Sequence, residues 1–219
     1  VFANGGYRVN PYYIERAVDG DGIVVYESWP ARAVTAEAIE PPEPGPEGPR
    51  RPAARPAERA ISAENAWLMR SMLQNVVQEG TARAARALGR SDLGGKTGTT
   101  NEQRDAWFSG FNGDLVVTAW VGFDELQTLG RYETGGRAAL PIWTDFMGAA
   151  LEGRPESEWP RPDGLVTVRI DPESGELAGA DTPGAIFETF REANLPGSNA
   201  SADSSRADGG GASSEQPIF

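Results

Sequence analysis

Gly94-Gly95-Lys96-Thr97-Gly98-Thr99-Thr100-Asn101 places one ammonium, three hydroxyls and three glycines within eight residues. Glycine has no Cβ, so positions 94, 95 and 98 allow another backbone to approach closely. Lys96 supplies a point charge for a carboxylate or phosphate, and Thr97, Thr99 and Thr100 supply short donors beside it. The stretch therefore reads as an anion-reading strand.

Its flanks test that reading. Upstream, Ser62 reads as an N-cap with Glu64 at the positive end of a helix. Trp67, Leu68, Met72, Leu73, Val76 and Val77 then recur at helical spacing, which predicts a packed apolar face ended by Gly80. Thr81 reads as the cap of a second short helix running to Leu88, with Gly89 as its stop. Downstream, Ala106-Trp107-Phe108-Ser109-Gly110-Phe111 meets Asn112-Gly113, a strong hairpin signal. The return run, Leu115 to Phe123, is apolar at nearly every position and predicts a central strand covered on both faces. Together these give three consecutive antiparallel strands.

Further out, Asp19-Gly20-Asp21-Gly22 reads as a plain turn between Pro11–Val18 and Ile23–Glu27, since the remaining ligands of a calcium loop are missing. The stretch 41–58 is too rich in proline and too poor in apolar residues for a core, which predicts an extended surface insertion. Leu140, Trp143, Phe146, Met147, Ala150 and Leu151, with Pro141 in the first turn, predict an amphipathic helix covering the sheet. Leu165–Ile170 reads as a hairpin arm turning at Asp171–Gly175, and Thr182–Pro196 as holding a short helix. From 197 to 219 the composition predicts a disordered Ser/Gly/Asp-rich tail. The fold class expected is α+β, an antiparallel sheet flanked by helices, in one domain over 1–196.

Composition narrows the chemistry. The 219 residues carry a formal charge of −12, from 20 basic and 32 acidic side chains, which argues against nucleic-acid binding through a basic surface. No cysteine and no histidine occur, so a disulfide framework, a Cys/His zinc site and a Ser-His-Asp triad within the chain are all excluded. No metal and no cofactor is expected. No run is long enough to be a membrane span, and a start at Val1 inside an ordered-looking run suggests a piece of something longer.

Two anion-binding readings compete. Gly95-Lys96-Thr97 imitates the end of a nucleotide P-loop, but that motif needs glycine five positions before Gly95, where Arg90 stands. Its strand-then-helix flanks are also reversed here. The alternative is the Lys-Thr-Gly element of serine acyl-transferases that react with penicillin, which lies on a strand before an antiparallel hairpin.

The wider wording supports the second. Gly94 to Asn101, Asp105-Ala106-Trp107-Phe108-Ser109-Gly110-Phe111 and Val117-Thr118-Ala119-Trp120-Val121-Gly122-Phe123-Asp124 closely resemble class A penicillin-binding proteins of the 1A type. So do Phe2-Ala3-Asn4-Gly5-Gly6-Tyr7 and Ala139-Leu140-Pro141-Ile142-Trp143. The resemblance implies the C-terminal part of a penicillin-binding-protein/serine β-lactamase-like transpeptidase fold. It implies a peptidoglycan synthase that cross-links stem peptides by D-Ala-D-Ala transpeptidation through a serine acyl-enzyme, inhibited by β-lactams. On matching positions it implies that Lys96 and Thr97 hold the substrate's carboxylate. It further implies that Thr99 adds its hydroxyl there and its N–H to an oxyanion hole, and that Gly98 lets the peptide lie along the strand. Lys96 and Thr99 are thus the expected catalytic residues, and Lys96, Thr97, Gly98 and Thr99 the expected substrate-binding ones.

One element is missing. Lys96 is the only lysine, and the residue three before it is Leu93, so no Ser-x-x-Lys exists in the sequence. The nucleophile, a glycosyltransferase domain and the inner-membrane anchor of a periplasmic enzyme are all expected upstream, and the chain alone is expected to be inactive and to fold poorly by itself. A DD-carboxypeptidase or β-lactamase-like hydrolase, and a non-catalytic peptide-binding module, are the alternatives.

Overall fold

In the computed structural model, which describes residues 1–34, 44–45, 48–49 and 55–197, the chain divides into two units, Val1–Arg161 and Pro162–Phe219. Most of the expected insertion at 41–58, and all of the expected tail beyond 197, lie outside the described residues.

The first unit begins with the antiparallel hairpin β1 (Arg16–Val18) and β2 (Val24–Glu27). Its turn is held by the Asp19 carboxylate, which accepts from the N–H groups of Asp21 (3.0 Å) and Ile23 (2.8 Å). Two short pairings follow: Tyr7–Arg8 antiparallel to Glu58–Arg59, and Ala31–Arg32 parallel to Arg55–Pro56. The Arg59 guanidinium lies 4.1 Å from the Tyr7 ring centre and donates to the Gly5 carbonyl at 3.0 Å.

Helix α1 (Ala63–Gln78) starts where expected, with the Ser62 hydroxyl accepting from the Asn65 N–H at 3.3 Å. Its most buried residues are Ala66, Arg70 and Val77, whereas Met72, expected in the core, is 61% exposed. Arg70 takes the interior position because its guanidinium stacks 4.1 Å from the Trp159 ring centre, and burial pulls its pKa down to about 10. The short helix after it is a 3₁₀ segment, Arg83–Leu88, preceded by Ala82 with no side-chain cap. Thr81, the expected cap, bonds elsewhere. Gly89 does stop the segment, in the left-handed region at φ 66°.

The centre of the unit is a three-stranded antiparallel sheet in the order β5–β4–β3: β3 is Gly94–Thr99, β4 Ala106–Phe111 and β5 Val116–Val121. Thr99 faces Ala106 and Gly94 faces Phe111, while Trp107 faces Trp120 across the other ladder. β5 is therefore an edge strand among the described residues, not the expected central one. Its residues Val116 and Trp120 are exposed, because α2 packs on the opposite face, where Phe108 and Ala119 lie. The hairpin closes around Gly113 and Asp114, one residue beyond Asn112-Gly113, with the Asn112 N–H donating to the Leu115 carbonyl at 3.0 Å. Asn112 explains this: its buried amide oxygen accepts from the N–H groups of Asp114 (3.1 Å) and Leu115 (2.9 Å).

After a π-helical turn, Gly135–Ala139, the helix continues as α2 (Leu140–Ala150), with Pro141 in its first turn. Leu140, Trp143, Met147 and Leu151 form its buried stripe, and Phe146 points out. Trp143 meets Phe108 edge-on at 4.9 Å and donates its indole N–H to the Val117 carbonyl. Together with Leu93, Ala106, Ala119, Val77 and Ala85 these side chains make the core. Each large one contributes about 2 kcal/mol by leaving water.

The second unit is the two-stranded antiparallel pair β6 (Leu165–Ile170) and β7 (Ile186–Arg191). The expected turn at 171–175 is present, closed by Gly175 N–H to Asp171 O and a bridge between Ile170 and Leu177. The expected helix after Thr182 is instead β7 and a 3₁₀ turn, Glu192–Asn194. Pairing decides it: Thr189 hydrogen-bonds Thr167 across the ladder at 2.9 Å, and a helix would lose that register.

Candidate functional site

Strand β3 has two chemically different edges. The Thr100 N–H donates to Asp105 O at 3.1 Å, which fixes the phase of the antiparallel ladder. Gly94, Lys96 and Gly98 therefore point their backbone groups at β4, while Gly95, Thr97 and Thr99 point theirs at the opposite edge. No strand pairs with that edge among the described residues. It offers N–H and C=O groups to an extended peptide, as in strand addition.

Side chains alternate across the same strand. Lys96 is exposed on the face of Ser109, Thr118 and the Trp107–Trp120 pair, whose ring centres are 5.9 Å apart. Its ammonium donates to the Thr97 carbonyl at 3.0 Å, and no carboxylate pairs with it among the described residues. Thr97 and Thr99 lie on the other face. The Thr97 hydroxyl shares a 2.9 Å hydrogen bond with Thr81, and the Thr99 hydroxyl accepts from the Gly135 N–H at 3.0 Å. All four residues singled out in the sequence thus share one strand: Lys96 and Gly98 on one face, Thr97 and Thr99 on the other.

Within the sheet, the glycines make room for the neighbouring strand. A Cβ at Gly95 would come within 2.6 Å of the Phe108 ring and 2.8 Å of Ser109 O, and one at Gly98 within 3.2 Å of Trp107 Cβ. The space they leave is taken by Phe108 and Trp107 and, at Gly95, by the β4 backbone of Ser109 and Gly110.

Supports at both ends hold β3. At its start, Arg90 donates twice to the Asp92 carboxylate, at 2.9 and 2.7 Å. Asp92 also accepts from the Ser157 N–H at 2.9 Å and the Asn112 amide at 3.3 Å. Burial raises the Asp92 pKa, but these donors outweigh it and hold the carboxyl below its ordinary value. At the far end, the turn contains Glu102 and Gln103 in left-handed conformations, φ 61° and 50°. The loop before α2 secures it: the Thr128 hydroxyl donates to Glu102 O at 2.7 Å and the Leu129 N–H to Gln103 O at 2.8 Å. Asp105 accepts from the Trp120 indole at 2.9 Å.

Sequence reasoning missed Thr81, Gly135 and the Asp92 network. The Thr81–Thr97, Gly135–Thr99 and Ser157–Asp92 bonds span 16, 36 and 65 residues of chain, with no local periodicity or motif to mark the pairing.

The arrangement offers an exposed ammonium and free backbone groups side by side on one strand edge. The family model described as "Penicillin binding protein transpeptidase domain" matches residues 1–147, and that of "Penicillin-binding protein 1A, C-terminal domain" matches 161–198. Penicillin-binding protein 1A of Pseudomonas aeruginosa is 48% identical over 221 residues, covering 90% of this chain and 27% of that protein. The protein of the same name from Neisseria meningitidis serogroup B is 37% identical, covering 96% and 24% respectively. A crystal structure of penicillin-binding protein 1A from Haemophilus influenzae superposes with a TM-score of 0.75 at 33% identity, over 89% of this chain and 31% of that one. The chain spans about a quarter of the length of the curated relatives it matches. On these matches, with an α+β fold built on an antiparallel sheet, the chain belongs to the penicillin-binding protein transpeptidase family.

Proposed function

We propose that this chain is the Lys-Thr-Gly wall of a peptidoglycan transpeptidase whose nucleophile lies on a longer protein, upstream of Val1. The carrying observation is the unpaired edge of β3, where the Thr99 N–H and the Thr97 carbonyl sit beside a lysine with no carboxylate partner among the described residues. In this reading a stem peptide ending in D-Ala-D-Ala lies antiparallel to that edge. Lys96, Thr97 and the Thr99 hydroxyl hold the terminal carboxylate, and the Thr99 N–H faces the oxygen that gains charge when a serine attacks the penultimate carbonyl. An N–H so placed lowers the barrier by about 3 kcal/mol. The C–N bond breaks, the terminal D-Ala departs, and the acyl group passes to an amine of a neighbouring strand. β-Lactams present the same carboxylate and leave the serine acylated.

The family resemblance supports the rest of the reading: a periplasmic enzyme anchored in the inner membrane through an upstream segment, with a glycosyltransferase domain on the same protein. No helix among the described residues is long and apolar enough to cross a membrane.

Labelling with a fluorescent penicillin tests this. A chain extended upstream to include a Ser-x-x-Lys element should be labelled covalently, and the 219-residue chain should not. If neither labels, the strand is a non-catalytic peptide-binding module. If the shorter chain labels, the nucleophile is within it.

A further inference from the structure

Gly135 touches the candidate site from a different part of the chain. It opens the π-helical turn before α2, and its N–H donates to the Thr99 hydroxyl at 3.0 Å. A hydroxyl has one proton to give and two lone pairs to receive. With Gly135 filling one lone pair, the Thr99 proton cannot point at that amide and must turn elsewhere.

Only glycine fits there. A Cβ on residue 135 would overlap the Trp107 carbonyl oxygen and stand 2.5 Å from Gly98 O, atoms of the β3–β4 ladder itself. Any side chain would lift the amide off Thr99 or part the strands. The same loop grips the β3–β4 turn through Thr128 and Leu129, so its two ends fix the turn and the hydroxyl together.

We infer that Gly135 is a positioning residue of the carboxylate subsite: its N–H fixes the Thr99 hydroxyl as a donor toward the free carboxylate of a peptide or β-lactam on the β3 edge. This rests on the transpeptidase reading and adds a specificity element to it. The residue touches no substrate and acts through Thr99.

The test uses the longer, labelling-competent chain and two ligands, benzylpenicillin and its uncharged methyl ester, with acylation followed by intact mass. Gly135→Ala should lower the acylation rate constant for benzylpenicillin by about 10- to 100-fold while changing that for the ester little. In a Thr99→Val background, Gly135→Ala should have no further effect on the penicillin-to-ester ratio, because the two residues act as one unit. Equal losses for both ligands, or additive losses in the double variant, would overturn the inference and leave the transpeptidase reading standing. If the parent chain fails to acylate at all, both fall. Should Gly135→Ala not fold, amide exchange at Gly135 answers the question: Thr99→Val should speed it by about tenfold, and an unchanged rate overturns the inference.

Discussion

Lys96 has three N–H protons and gives one to the Thr97 carbonyl of its own strand, so two remain for an incoming carboxylate. Replacing it by Ala in the longer chain should cut penicillin acylation by about 10- to 100-fold, the range of a lost charged hydrogen bond. Lys96→Arg should recover part of that loss, since the charge survives but the geometry changes. Asp92 makes the opposite kind of prediction, one about stability. Its carboxyl is held below the ordinary value of 3.8 by Arg90, Ser157 and Asn112 despite its burial. A depressed folded pKa means the stabilisation is complete above the unfolded pKa and is lost as pH falls through the folded one. Asp92→Asn should therefore destabilise by about 2 kcal/mol near neutral pH, because an amide removes the counter-charge of Arg90 and can no longer accept from Arg90, Ser157 and Asn112 together. The deficit should shrink below the ordinary carboxylate pKa, as followed by melting temperature against pH.

At the scale of elements, the β4–β5 hairpin depends on one side chain. Asn112→Ala removes the two loop bonds to Asp114 and Leu115 and the bond to Asp92 together, and should cost about 2 kcal/mol in denaturant unfolding. Ser62→Ala, which removes only the cap of α1, should cost about 1 kcal/mol. Strands β1 to β6 and both helices were legible because their cues are local: β4 alternates Ala106, Phe108 and Gly110 inward, and the buried stripe of α2 follows the helical period. What was not legible depends on partners far away. An apolar run cannot reveal whether it has one neighbour or two, so β5 read as central although among the described residues only β4 pairs with it. Thr81 looks like a cap until Thr97 claims its hydroxyl. The β7 strand reads as helix until its ladder with β6 is formed. For the site, the motif residues on β3 could be named in advance, but the amide that orients Thr99 could not.

Over the whole molecule, apolar surface stays uncovered. Val116 is 68% exposed on the face of β5 that also carries Trp120, and Tyr13, ahead of the β1–β2 hairpin in the chain, is 97% exposed. Exposed edges and faces of this kind favour association. The 219-residue chain alone should bind a hydrophobic dye and oligomerise, while the longer chain melts as a monomer. A sharp, monomeric melt of the short chain in light scattering and calorimetry would contradict this. The proposed division of labour, with the substrate held here and the attack made elsewhere, can be tested at one atom. The longer chain is acylated with benzylpenicillin, digested, and the adduct located by mass spectrometry. The adduct should sit on a serine upstream of Val1 and form more slowly in Lys96→Ala; an adduct on any residue between Val1 and Phe219 would contradict the assignment of this chain as the substrate-holding wall.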